Sequence, residues 1–190
     1  MQKLKKGEEY DLLDPHARGV VTRINTKEVF ELIVRQAHKN GEPGIIFIDR
    51  VNQHNPTPKL GKIESTNPCG EQPLLPYESC NLGSINLGQM VKGANGQKQV
   101  DWDKLADTVS LAVHFMDNVI DLNQYPLEQV SKITLANRKI GMGVMGFADL
   151  LIKLQIPYNS KLALQLGEQL MKFINEKGHE VSENLAKIRG

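Results

Sequence analysis

Asn67-Pro68-Cys69-Gly70-Glu71-Gln72-Pro73-Leu74-Leu75-Pro76-Tyr77-Glu78-Ser79 runs directly into Cys80-Asn81-Leu82-Gly83-Ser84-Ile85-Asn86-Leu87. The second half alternates enough to read as a strand, with Cys80, Leu82, Ser84 and Asn86 sharing one face of mixed character. The first half carries the chemistry. In extended or looped backbone, Asn67, Cys69 and Glu71 stand at i, i+2 and i+4 and would converge on one small volume. They would bring together an amide clamp, a sulfur reagent and a general base. Gly70 allows the backbone to approach a ligand closely, and Pro68 restrains the loop. The same five residues also read as a surface turn that happens to hold a cysteine, because proline and glycine are common turn punctuation.

Working outward, Gly44-Ile45-Ile46-Phe47-Ile48-Asp49 is a short apolar run expected to form a strand buried on both faces, in one sheet with 80–87. Between the two, residues 51–79 hold Pro56, Pro58, Pro68, Pro73 and Pro76 and show no sustained period, so a long loop is expected there. Compact domains rarely keep a loop of that length without a function to support. Residues 1–25 carry the turn pairs Asp14-Pro15 and Arg18-Gly19 and read as irregular. Thr26 is expected to cap a helix over about 27–40, whose stripe is Val29, Phe30, Ile33, Val34 and Ala37, with Gly41 and Pro43 ending it.

Downstream, Gly93, Asn95 and Gly96 mark a turn. Asp101 then caps a helix over about 102–122 with Leu105, Val109, Val113, Met116 and Ile120 on one side, widened by Val119. Arg138 to Gly146 reads as a strand entering a tight turn. The helix after it, ending before Pro157, places Phe147, Leu150, Leu151 and Leu154 in the core. Ser160 caps a last helix, running to about 188, with Leu162, Leu166, Leu170, Phe173 and Ile174. Alternating strands and helices argue for an α/β fold with mainly parallel strands. The glycines of Gly141-x-Gly143-x-x-Gly146 mimic a dinucleotide fingerprint. The strand before them is short, however, and no acidic residue follows at the end of a second strand.

With 40% hydrophobic and 24% charged residues, the 190-residue chain has the composition of an ordinary globular domain. Its net charge of +1 offers no electrostatic case for nucleic acid or an anionic membrane as partner. No apolar run approaches the roughly 20 residues that span a bilayer, and no signal-peptide core follows Met1, so a cytoplasmic protein is expected. Two cysteines eleven positions apart make neither a secreted disulfide framework nor a zinc site. The histidines (His16, His38, His54, His114, His179) lack ligand spacing, and no metal site is expected.

The run from Ser65 to Leu87 resembles the active-site segment of ribonucleotide reductase catalytic subunits, most closely the adenosylcobalamin-dependent class. Three further segments continue the resemblance: Gly41 to Asn52, Asn55-Pro56-Thr57-Pro58, and Asn137-Arg138-Lys139-Ile140-Gly141-Met142-Gly143-Val144-Met145-Gly146-Phe147-Ala148-Asp149-Leu150-Leu151. The resemblance implies a partial ten-stranded α/β barrel spanning 1–190, with 51–79 as the finger loop at its centre. It implies that Cys69 carries the thiyl radical that abstracts the substrate's 3′ hydrogen. Glu71 is then the base for the 3′-hydroxyl proton, and Ser65, Thr66 and Asn67 bind the ribonucleotide. Cys80 matches one of two cysteines that deliver reducing equivalents, but no third cysteine exists in the chain to partner it. Adenosylcobalamin is implied as cofactor, with its contacts largely outside these residues.

The expectation is therefore a fragment or split-gene product that needs a complementary reductase polypeptide or self-associates. Two alternatives stand beside it. One is a non-catalytic remnant or assembly module that keeps the fold segment. The other is a thiol hydrolase, which would need a histidine beside Cys69; His54 is the only one on the same loop.

Overall fold

The computed structural model describes residues 2–94 and 97–189. The expected turn residues Asn95 and Gly96 lie outside that range. The chain divides into two compact units, Met1–His54 and Asn55–Gly190.

The first unit is more regular at its start than the sequence suggests. Helix α1 (Gln2–Lys6) leads into a hairpin of β1 (Glu9–Leu13) and β2 (Val20–Asn25), paired antiparallel from Glu9↔Asn25 to Leu13↔Val20. The turn pairs that read as irregular chain are its connection. Asp14 accepts from the backbone N–H of His16 and Ala17 through Oδ1, and its own N–H bonds Gly19 O. Helix α2 (Thr26–Asn40) follows, and its cap is Asn25 rather than Thr26. The Asn25 side chain accepts from Lys27 N and Glu28 N, while the Thr26 hydroxyl donates to Glu8 O at 2.7 Å. Gly41 ends the helix at φ 85°, as a C-terminal glycine does.

The expected strand at 44–49 does not form. Residues 42–47 run without regular structure into α3 (Ile48–Gln53), and Ile45, Ile46 and Phe47 are about half exposed. A strand needs a neighbour to receive its backbone bonds. Among the described residues of this unit, β1 and β2 pair only with each other. No described side chain of the unit is buried.

The second unit holds the core. A short hairpin of β3 (Ser65–Thr66) and β4 (Pro73–Leu74) comes first, then β5 (Asn81–Asn86) and a 3₁₀ turn at Leu87–Gln89. The ribbon of β6 (Val91–Lys92) and β7 (Gln99–Val100) precedes α4 (Trp102–Leu122). Helix α5 (Glu128–Asn137) leads to β8 (Ile140–Met145), then α6 (Phe147–Lys153) and α7 (Lys161–Arg189). Strands β5 and β8 pair in parallel, Asn81↔Ile140 through Asn86↔Met145. Joined by the α4–α5 crossover, they are the βαβ element that the α/β reading anticipates.

Helix α4 buries Leu105, Val109, Val113, Met116 and Ile120, the stripe read from its period, and Asp101 caps it by accepting from Lys104 N. Of these, Leu105, Val109 and Val113 meet Ile85, Leu87, Leu150, Leu170 and Ile174 in one cluster, with Trp102 set edge-on to Phe173 at 5.0 Å. Ser160 caps α7 through Ala163 N. Of the apolar residues on α7, Leu170 and Ile174 are buried together with Ala163, whereas Leu162 is exposed. Arg138 closes α5 in the left-handed region at φ 48°. It is held there by donating to Asp117 Oδ1 and Asp121 Oδ1, each at 2.7 Å, and to Asp117 O. Arg189 joins the same carboxylates from the end of α7 and also meets Asn118 and the exposed His114 ring.

The glycine series 141-143-146 does not build a phosphate cradle. Gly141 and Gly143 lie within β8, and Gly146 caps a helix of only seven residues. Among the described residues, no helix is long and apolar enough to cross a membrane.

Candidate active site

The loop between β3 and β4 carries the trio, and its geometry is a turn. Asn67 O accepts from Gly70 N at 3.0 Å, and Gly70 takes φ 82°, a conformation that glycine adopts at least cost. Asn67 N donates to Gln72 O, and Asn67 Oδ1 accepts from Gln72 N at 3.0 Å. Asn67 thus closes the loop with backbone and side chain together. Thr66 adds a bond from its hydroxyl to Asn67 O.

This corrects the expectation of three side chains aligned by alternation. Chain reversal at Pro68–Gly70 breaks the period of two that extended backbone would give. Cys69 stands exposed at the tip as a free thiol, and Glu71 is exposed on the return side. Among the described residues, the Asn67 side chain bonds Gln72 N, and no hydrogen bond joins it to the side chains of Cys69 or Glu71. Ser65 is exposed and pairs with Leu74 across the hairpin.

Cys80 lies at the entrance to β5, half-buried and free. Burial pushes its thiol up from the ordinary cysteine value. The Lys139 ammonium pulls the other way, while the carboxylates of Glu71 and Glu78 add to the upward push. Glu71 and Cys80 therefore share one electrostatic neighbourhood, although nine positions separate them.

The residues that frame Cys80 were not singled out in the sequence. The Glu78 side chain is fully buried. Its Oε2 accepts from Leu75 N at 2.8 Å and from Lys139 Nζ at 2.6 Å, and its Oε1 accepts from Asn137 Nδ2 at 2.9 Å. Burial alone would push this carboxyl up, but the three donors, Lys139 foremost, hold it below the usual carboxylate range. Ser79 and Thr134 add a hydroxyl pair at 2.8 Å. The end of the loop is thereby fastened to the corner between α5 and β8. Asn81 donates to Met116 O, and its buried Oδ1 has no partner. The available signal for this cluster was position: Glu78 and Lys139 each stand just ahead of a strand, and parallel pairing brings strand entrances together. Gln72 was also missed; its amide oxygen reaches Gly141 on β8.

The family description "Ribonucleotide reductase, barrel domain" matches residues 2–190. A vitamin B12-dependent ribonucleoside-diphosphate reductase from Thermoplasma acidophilum is 53% identical over 188 residues, covering 99% of this chain and 24% of that protein. The enzyme of the same name from Mycobacterium tuberculosis is 49% identical over 179 residues, 94% of this chain and 25% of that protein. The chain thus spans about a quarter of the length of these relatives. Among solved structures, the Actinobacillus ureae class Id ribonucleotide reductase alpha subunit superposes with a TM-score of 0.72 at 24% identity. That likeness covers 86% of this chain and 32% of the subunit, and supports a partial α/β barrel as the fold.

Proposed function

The chain belongs to the ribonucleotide reductase barrel-domain family, and on that premise we propose that it supplies the radical-bearing loop and one redox cysteine of a ribonucleotide-reducing site. Residues 1–190 form one piece of the barrel domain, with 51–79 as its finger loop, and act with a complementary reductase polypeptide. The observation that carries this is the presentation of Cys69. Its free thiol stands exposed at the tip of a loop closed by Asn67 and Gly70, with Glu71 exposed on the return side of that loop and Cys80 in the field of Glu71.

Each residue has a role its surroundings allow. The Cys69 sulfur takes the 3′ hydrogen of the ribose. Glu71, exposed and able to reach a bound sugar, accepts the 3′-hydroxyl proton as the 2′-hydroxyl departs as water. Asn67 spends its amide oxygen on Gln72, which leaves Nδ2 to donate to a substrate hydroxyl. Ser65 and Thr66 bind the ribonucleotide beside it. Replacing the 2′-hydroxyl by hydrogen consumes two thiols and yields a disulfide and one water. Cys80 is one of those thiols, and the other comes from the complementary polypeptide.

Adenosylcobalamin, when bound, supplies the radical that passes to a cysteine. The residue here whose chemistry fits that group is Cys69, because its sulfur is free and open to approach. Both cysteines are free thiols, which suits the reducing cytoplasm.

The test is reconstitution. The chain is mixed with polypeptides corresponding to the flanking regions of a B12-dependent relative, and deoxyribonucleotide formation is followed with adenosylcobalamin and a dithiol. Turnover that depends on the chain and is abolished by Cys69→Ser supports the reading. Turnover indifferent to Cys69→Ser refutes it.

A further inference from the structure

We propose that Lys139, fixed in place by the buried carboxylate of Glu78, is the counter-charge that opposes burial and the neighbouring carboxylates and so keeps the thiolate form of Cys80 within reach. This rests on the reading of Cys80 as a redox cysteine and adds two positioning residues to it.

The geometry begins with register. Asn81 pairs with Ile140 in the parallel ribbon. Cys80 and Lys139 are the residues that immediately precede this first pair, and the Lys139 charge acts on the Cys80 thiol. The Lys139 side chain is 12% exposed and that of Glu78 is 0% exposed, so water screens their fields poorly. Lysine is a flexible point charge, and a single contact would not fix it. Glu78 does, because its own position is set by Leu75 N and Asn137 Nδ2. A neutral core could fasten the loop equally well. A buried ion pair is costly unless its geometry is good and further hydrogen bonds satisfy it, and Glu78 has those bonds from Leu75 N and Asn137 Nδ2.

The charged groups bearing on that thiol are Lys139 from the entrance of β8, Glu78 from the loop end and Glu71 from the β3–β4 loop. When the thiol gives its proton to solvent, Lys139 gains a second anionic neighbour, while Glu71 and Glu78 oppose the new charge. The two members of the pair thus act on Cys80 with opposite sign.

That opposition is the test, and it needs no turnover. In a Cys69→Ser background, Cys80 is the only thiol, and its rate of alkylation by iodoacetamide is followed across pH. Lys139→Gln is expected to move the midpoint up and slow the reaction at pH about 8 by about three- to tenfold, one unit of pKa being a tenfold change in thiolate fraction. Glu78→Gln is expected to move the midpoint down, Lys139→Arg to leave it near the parent, and the Glu78→Gln/Lys139→Gln pair to lie above the parent but below Lys139→Gln. General loosening would expose the thiol and move every midpoint down together. A Lys139→Gln midpoint that falls or stays fixed therefore overturns the proposal. If Lys139→Gln does not fold, a doubly neutral variant more acidic than the parent has the same force. Cys80→Ser in reconstituted turnover tests the redox reading separately: full activity would remove that reading while leaving the titration result intact.

Discussion

Leu82 lies over Gly141, its Cδ2 filling the space that a Cβ on residue 141 would need, and the two are register partners in the parallel pair. The glycine lets an apolar side chain fold flat across its neighbour, while the Gln72 amide closes in from the β3–β4 loop. Gly141→Ala is expected to cost about 1–3 kcal/mol, as overpacking does. Thermal unfolding of that variant against Gly143→Ala, where Ser84 Oγ stands at ordinary contact distance of 3.5 Å, checks it. The second substitution should be the milder.

Acid should weaken the Glu78 contact. The folded-state carboxyl is held below its unfolded value, so its contribution is fully present above the usual glutamate range and is lost as pH falls through the lowered value. Unfolding free energies of wild type and Glu78→Gln should differ near neutral pH and converge in acid. At neutral pH, removal of one partner of this buried pair by Glu78→Ala should cost about 3–5 kcal/mol. A gap that stays constant down to strongly acid pH would contradict the assignment.

The two cysteines should react in a fixed order. Cys69 is exposed, whereas Cys80 is half-buried with its thiol pushed up by burial. Brief alkylation near neutral pH, read by peptide mass, should label Cys69 about tenfold or more ahead of Cys80. Equal labelling would mean that β5 does not protect its entrance.

Asn67 offers a way to separate loop closure from substrate contact. Asn67→Asp keeps the oxygen that accepts from Gln72 N and removes the amide donor; Asn67→Ala removes both. Limited proteolysis at 67–72 should be accelerated by Ala and not by Asp. In the reconstituted enzyme both should lose activity. Full activity in Asn67→Asp would take Asn67 out of ribose binding.

What could be read in advance depended on whether the signal was local. Helix α4 announced itself because five buried residues recur at the helical period within a single segment, and Asp101 precedes them. The run at 44–49 misled because being a strand depends on a neighbour, and apolar content cannot supply one. Helix α5 escaped notice because it has no continuous apolar stripe; its one buried residue is Thr134. In the candidate site, Asn67, Cys69 and Glu71 were legible as a chemical set but their mutual direction was not, since one glycine at positive φ reverses the chain between them. Glu78 and Lys139 were invisible for a different reason: nothing near either residue names the other.

Glu78 meets Lys139 across 61 positions of chain, and that separation fixes an order of events during synthesis. At about 5–20 residues added per second, the ribosome holds Glu78 for roughly 3–12 s before its partner has been made at all. In that interval α4 can form within microseconds, whereas β5 has no β8 to receive its backbone bonds. The β3–β4 loop and Cys80 therefore exist first as a tethered, unclamped segment. Its clamp arrives only when the chain returns to it.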